Sequence, residues 1–324
     1  PRDSDSFPTR RSSDLPVCLY PPVLKRPMPP LPLVGEYESG DRQLDAIWRL
    51  CRDTQVNSFE DAFIDSPWRE RGLYVADQNI QYMLNLVLYG DHTLMRRGIE
   101  LFFQSQAPSG LLPACTHFLK APRHPDFSAL AVESLLRYWS YSGDGGFIRQ
   151  MAPALCRVLE GLQNILEPDT GLTEARDRQP YVDLSQASKT EAAFGLNAFV
   201  CGAFKNGARL FKIAGDAKEA SRWKAAYAEY RNRIRENYRT AESLLFLDQP
   251  ASRTPRVMPS CLGQVLALYY EIAEPGEAGP LLDFITETIR WNAVVPNPAR
   301  MKDFHISPYS AFYLLDVLFR HGRD

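Results

Sequence analysis

The chain has no close cysteine pair. Its six cysteines, Cys18, Cys51, Cys115, Cys156, Cys201 and Cys261, are scattered and form no CxxC. That spacing argues against a disulfide framework or a thiolate zinc site and reads as reduced core thiols. The five histidines form no HxxxH or HxH, and His117 and His124, in one loop, have no partnering motif. Neither a metal nor a cofactor is expected. No apolar run approaches the roughly 20 residues a membrane-spanning helix needs. A net charge of −2 with 23% charged residues gives no electrostatic reason to expect nucleic acid or a membrane surface as partner. GxSxG, GxGxxG and the P-loop are absent, which removes the usual signatures of Ser-His-Asp hydrolysis and nucleotide binding. Gly143-Asp144-Gly145-Gly146 is glycine-rich but falls between two helical stretches, as a turn does. Strand-like alternation is rare, leaving room for a short β-hairpin or two. What is plentiful is core material, at 45% hydrophobic. The compartment is left open, with the cytoplasm slightly favoured.

The first forty residues differ from the rest. Residues 5 to 15, Asp-Ser-Phe-Pro-Thr-Arg-Arg-Ser-Ser-Asp-Leu, read as one frame of a common DNA-sequencing adapter. Residues 1–15 are therefore expected to be a non-native tail and carry no fold argument. Seven prolines between Pro16 and Pro32 forbid helix and favour extended structure, so residues 16–40 read as a linker or edge segment. From residue 41 to 324 the texture is uniform, as expected of one domain.

That domain reads as helices. Leu44, Ile47, Trp48 and Cys51 share helical spacing, as do Met83, Leu86 and Val87. Further helices are predicted over residues 91–106, 127–141, 146–165, 188–214, 217–238, 259–272, 280–291 and 308–320. A rhythm runs through them: Gly90-Asp91, Gly143-Asp144 and Gly215-Asp216 each follow one helix and precede the next, and Gly322-Arg323-Asp324 is a looser echo. Glycine ends a helix in the left-handed conformation and aspartate caps its successor. A second recurrence, Ser109-Gly110-Leu111-Leu112 and Thr170-Gly171-Leu172-Thr173, marks the opposite ends of the helix pairs. Tight turns on one side and long loops on the other predict an all-α ring of hairpins, an (α/α) toroid, with the ligand face formed by the long loops.

The densest chemistry lies in Asp65-Ser-Pro-Trp-Arg-Glu-Arg-Gly-Leu-Tyr-Val-Ala-Asp77, which holds three carboxylates, two arginines and two aromatics just ahead of an apolar helical run. Two readings are open. Cleaving a sugar bond requires carboxylates in different environments, one protonated to serve the leaving oxygen and others ionised. The alternative is an N-capping aspartate followed by a solvated Arg-Glu-Arg edge.

The block Asp65-Ser66-Pro67-Trp68-Arg69-Glu70-Arg71, with Asp77 beyond it, resembles the signature of the bacterial α-L-rhamnosidases, glycoside hydrolase family 78 of the six-hairpin glycosidases. Residues 106–113, Pro125-Asp126-Phe127-Ser128, Tyr181-Val182-Asp183, Leu196-Asn197-Ala198 and the stretch from Ser307 also fit the family pattern, so the resemblance covers about residues 42–324. It implies an (α/α)6 toroid, here incomplete at its C-terminus. It also implies a carbohydrate substrate and inverting hydrolysis of terminal α-L-rhamnosyl linkages. Glu70 would be the general acid, with a pKa raised by burial beside other carboxylates. Asp65 and Asp77 would hold sugar hydroxyls and stabilise developing positive charge. Arg69 would pair with one of them or orient the loop. Trp68 and Tyr74 would stack on a sugar face or belong to the core. Asp126 and Asp183 would be second-rank substrate contacts, with a helix cap as the alternative for Asp126.

An inverting enzyme also needs a general base. The resemblance implies a glutamate in a Thr-x-Trp-Glu setting, which this sequence lacks, so the base is expected beyond residue 324 and the chain alone is expected to be inactive. Ser66 replaces the family's cysteine, and Leu184 stands where relatives carry tryptophan, which leaves sugar specificity open. Two other functions remain: a six-hairpin glycosidase acting on another sugar, and a non-catalytic toroid that binds glycans or proteins.

Overall fold

In a computed structural model of the chain, residues 31–116, 123–174, 180–240, 244–252, 258–292 and 305–323 are described. The expected tail at 1–15, the proline-rich stretch up to residue 30, Cys18 and His117 lie outside them. Ten α-helices run through the described residues: α1 Arg42–Asn57, α2 Val75–Tyr89, α3 Thr93–Gln104, α4 Pro125–Ser142, α5 Gly145–Gln163, α6 Phe194–Ala214, α7 Ala217–Tyr238, α8 Cys261–Tyr269, α9 Ala278–Asn292 and α10 Ala311–Arg320. Among the described residues β structure is limited to three isolated bridges, Phe59 with Phe63, Tyr74 with Cys115, and Leu166 with Thr173.

The even-numbered helices pack on one another in chain order, α2 on α4, α4 on α6, α6 on α8 and α8 on α10. The odd-numbered helices lie outside them, α3 against α2 and α4, α5 against α4 and α6, α7 against α6 and α9 against α8. Sequence explains this layering. Helices α4 and α6 are buried nearly all round, as inner staves must be, whereas charged α7 buries only Trp223, Tyr230, Ile234 and Tyr238. The result is a toroid of helical hairpins.

The glycine–aspartate rhythm works as expected. Gly90, Gly143 and Gly215 end α2, α4 and α6 in the left-handed conformation. Asp144 and Asp216 then accept the backbone N–H groups of Phe147 and Glu219. Asp91 acts one residue ahead of the α3 cap, accepting from Thr93 N–H at 3.1 Å. These short turns all sit at the C-terminal ends of the inner helices, so the long loops gather at the N-terminal ends.

A repeated clamp holds those loops down. The fourth residue of α4, Ser128, accepts the backbone N–H of Leu112 at 3.0 Å. The fourth of α6, Asn197, accepts that of Thr173 at 2.9 Å, and the fourth of α8, Gln264, accepts that of Phe246 at 2.9 Å. All three side chains are fully buried. Leu112 and Thr173 each stand two residues after Gly110 and Gly171, both at positive φ. The second sequence recurrence is therefore the loop's landing point on its inner helix.

Several expectations need correction. The helix expected from residue 188 begins at Phe194, because Asp248 and Gln249 hold the backbone and side chain of Ser188 and the carbonyl of Thr190 in a loop. The one expected from 308 begins at Ala311. Cys51 is an exposed thiol rather than a core one, while Cys115, Cys201 and Cys261 are buried, and all the described cysteines are free. Among the described residues no helix is long and apolar enough to cross a membrane.

Candidate active site

The segment between α1 and α2 closes on itself. Asp65 donates its N–H to the Gly72 carbonyl at 2.9 Å, and its Oδ1 accepts the Gly72 N–H at 2.8 Å. Ser66 donates its hydroxyl to the other carboxylate oxygen at 3.1 Å. The loop 65–72 is thus pinned at its base by Asp65, with Trp68, Arg69 and Glu70 at its tip. Arg71 adopts φ +52°, a costly conformation for a side chain of its size, and is anchored by an ion pair to Glu60. Beyond the loop, Leu73 and Val75 bond to Thr116 and Ala114, which docks the start of α2 on the α3–α4 connection.

This construction brings Asp65 and Glu70 within electrostatic reach of Asp77. Asp77 sits in the first turn of α2 and is partly buried. Burial, followed by the charges on Asp65 and Glu70, pushes its carboxyl up to about 6. Glu70 behaves in the opposite way. Its pKa is lowered, chiefly by the hydrogen-bonded Arg69 guanidinium, with a further contribution from the Tyr74 hydroxyl. Arg69 therefore pairs with Glu70, not with Asp65 or Asp77. In the resting site the raised carboxyl is Asp77, because α2 shields it while the loop tip leaves Glu70 beside an exposed cation. Trp68 is 92% exposed and belongs to no core; Tyr74 is half-buried.

Asp126 and Asp183 are each 1% exposed, and the chain itself engages both. Asp126, in the first turn of α4, accepts the backbone N–H of Val182 at 2.7 Å. Asp183 accepts the backbone N–H of Ser307 at 3.2 Å and the Ser307 hydroxyl. Asp126 ties α4 to the loop ahead of α6, and Asp183 ties that loop to the segment before α10. Asp126 is not an N-cap, since the cap of α4 is His124. Its Oδ1 has no partner among the described residues, and burial raises its pKa.

Tyr181 was named in the sequence only as part of the Tyr181-Val182-Asp183 stretch and was given no role at the site. Its ring packs edge-on against Phe127 at 5.8 Å, and Phe127 packs in the same manner against Tyr74 at 6.5 Å. Asp183, Asp77, Glu70 and Asp126 all act electrostatically on its phenol. The signal in the sequence was its place in that stretch, two residues ahead of Asp183. A cavity of about 470 Å³ is lined by none of these groups; it lies toward the C-terminal ends of the inner helices, where Glu133–Arg137, Lys205–Glu271 and Asp316–Arg320 pair within its walls.

Layered helical hairpins with carboxylates gathered at the N-terminal end of an inner helix fit a glycoside hydrolase of the six-hairpin type. The bacterial alpha-L-rhamnosidase 6 hairpin glycosidase domain matches residues 32–294, and the chain belongs to that family. No match was found among curated proteins. Among solved structures, the chain is similar to a GH78 family rhamnosidase of Bacillus sp. GL1, with TM-score 0.79 and 20% identity over 91% of this chain and 30% of that one. It is also similar to a rhamnosidase from Klebsiella oxytoca with rhamnose bound (TM-score 0.72, 19% identity, 88% and 53%). A third is the Streptomyces avermitilis alpha-L-rhamnosidase complexed with L-rhamnose (TM-score 0.73, 15% identity, 91% and 26%). The chain spans about a third to a half of the length of the first two.

Proposed function

We propose that this chain forms the toroid of an α-L-rhamnosidase that hydrolyses terminal α-L-rhamnosyl linkages with inversion, using Glu70 as general acid. The observation that supports the reading is the pinned loop 65–72, which carries Glu70 and Asp65, the two carboxylates whose charges act on Asp77. The family membership and the rhamnose seen in two structural relatives favour rhamnose as the sugar.

In this reading Asp65 and Asp77 accept hydrogen bonds from sugar hydroxyls and stabilise positive charge growing at the anomeric carbon. Glu70 must carry a proton to serve the leaving oxygen, yet Arg69 holds it ionised in the resting site. Sugar binding excludes water and draws the exposed Arg69 guanidinium onto the substrate. Left beside two carboxylates, Glu70 then rises into the range of a working acid. Trp68, at the exposed tip, packs against the sugar or its aglycone. Asp126 and Asp183 serve by fixing the wall that faces the substrate. The base that activates water acts from across the ring, roughly 6.5–9.5 Å from the acid; residues 1–324 hold no Thr-x-Trp-Glu segment, so this reading assigns the base to another part of the full-length protein.

The test is release of rhamnose from an aryl α-L-rhamnopyranoside by the full-length gene product, with Glu70→Gln as comparison. Turnover by the parent and its loss by orders of magnitude in a folded variant support the reading. A folded parent that leaves the rhamnoside intact and cleaves another aryl glycoside moves the activity to another sugar. No cleavage of any of them favours a binding toroid.

A further inference from the structure

The groups at the candidate mouth are mostly hydrogen-bond acceptors. Asp65, Glu70 and Asp77 can only accept when ionised, and the one donor assigned to the sugar so far is the Arg69 guanidinium, which is engaged with Glu70 until substrate binds. A pyranose needs donors as well, because each hydroxyl oxygen both donates and accepts. Tyr181 supplies one. Its phenol is pushed up to about 12, first by burial and then by Asp183, Asp77, Glu70 and Asp126, so the proton stays on the oxygen. Among the described residues nothing accepts that proton, and the side chain is 39% exposed.

The chain also invests in holding Tyr181. Val182, the next residue, sits at φ +51°, a conformation that β-branched residues adopt only under strain. Its N–H is held by Asp126 at 2.7 Å, and its side chain packs where a Cβ on Gly195 would sit. Asp183 is tied to Ser307, and its N–H donates back to the Tyr181 carbonyl at 2.6 Å. The ring leans on Phe127, so its direction is fixed from both sides. A strained backbone, held by one buried carboxylate from α4 and another in its own loop and presenting one unpaired donor, is what a recognition residue requires.

We propose that Tyr181 is a specificity-determining residue whose hydroxyl donates a hydrogen bond to one ring hydroxyl oxygen of the bound sugar, with Asp126 and Asp183 as positioning residues. The inference rests on the glycosidase reading above. The test uses the full-length protein, Tyr181→Phe, and the three monodeoxy derivatives of 4-nitrophenyl α-L-rhamnopyranoside, lacking the 2-, 3- or 4-hydroxyl. Phenylalanine keeps the ring contact with Phe127 and removes only the donor. The variant should lose about 10- to 100-fold in kcat/KM on the parent rhamnoside. That loss should vanish on one deoxy substrate and persist on the other two, the signature of a direct pair. An unchanged kcat/KM, or an equal loss on all four substrates, overturns the assignment while leaving the enzyme a rhamnosidase. If the parent protein hydrolyses none of the four, the rhamnosidase reading and this inference fall together.

Discussion

Asp126 accepts the backbone N–H of Val182 at 2.7 Å across 56 residues of sequence, joining the first turn of α4 to the loop that leads into α6. The bond is buried, so nothing in solvent competes for it. It fixes a residue at positive φ and, through it, the orientation of Tyr181. Asp126→Ala should therefore cost about 2–4 kcal/mol of stability by leaving that N–H unpaired in the interior. Asp126→Asn, which keeps an acceptor oxygen, should cost less. Denaturant midpoints of the two variants check the order.

Asp77 links pH to stability. Its folded pKa of about 6 lies above the ordinary 3.8 because burial disfavours the charge. A raised carboxylate holds its proton longer in the folded state, so stability falls as pH rises from about 4 to 6. The change should be on the order of 2 kcal/mol, and Asp77→Asn should remove that share of the pH dependence. Urea midpoints between pH 4 and pH 7 measure it; an identical slope in the variant would exclude Asp77 as its source.

Glu277 gives the opposite sign at a site remote from the mouth. It binds Arg235 through both carboxylate oxygens, at 2.7 and 2.8 Å, and also Arg239, so its pKa is lowered to about 2, first of all by Arg235. Its contribution is present above the unfolded pKa near 4.5 and lost as pH falls toward 2. Glu277→Gln should weaken the tie between α7 and the turn before α9, costing about 1–3 kcal/mol at pH 7. Thermal melts of parent and variant should converge in strong acid.

The inner ring leaves no room at Gly202. A Cβ there would overlap the Tyr270 ring, whose hydroxyl is bonded to buried Glu133 at 2.7 Å and cannot easily retreat. Gly202→Ala should cost roughly 2–4 kcal/mol despite alanine's better helix propensity. A melting temperature equal to the parent's would mean that α6 and α8 slide apart freely.

The toroid was legible because its punctuation is local. Gly90, Gly143 and Gly215 need positive φ, and Asp144 and Asp216 need only a neighbour three residues on, so chain order alone carries the pattern. Asp65, Glu70 and Asp77 were legible as a group for the same reason. The ionisation of Glu70 was not, since it depends on which way the Arg69 side chain turns. The partners of Asp126 and Asp183 lie 56 and 124 residues away, and no spacing rule reaches that far. Tyr181 was named but given no role, because the strain at Val182 and the packing on Phe127 carry no periodic signal.

The central claim is that Glu70 donates the proton. The most direct measurement compares kcat/KM of the full-length gene product and its Glu70→Gln variant on two aryl α-L-rhamnopyranosides, 4-nitrophenyl and the better-leaving 2,4-dinitrophenyl. The account predicts a loss of about 10²- to 10⁴-fold on the first and a much smaller loss on the second, where the leaving oxygen needs little help, with the fold unchanged by circular dichroism. Equal losses on both substrates, or a variant as active as the parent, would contradict it.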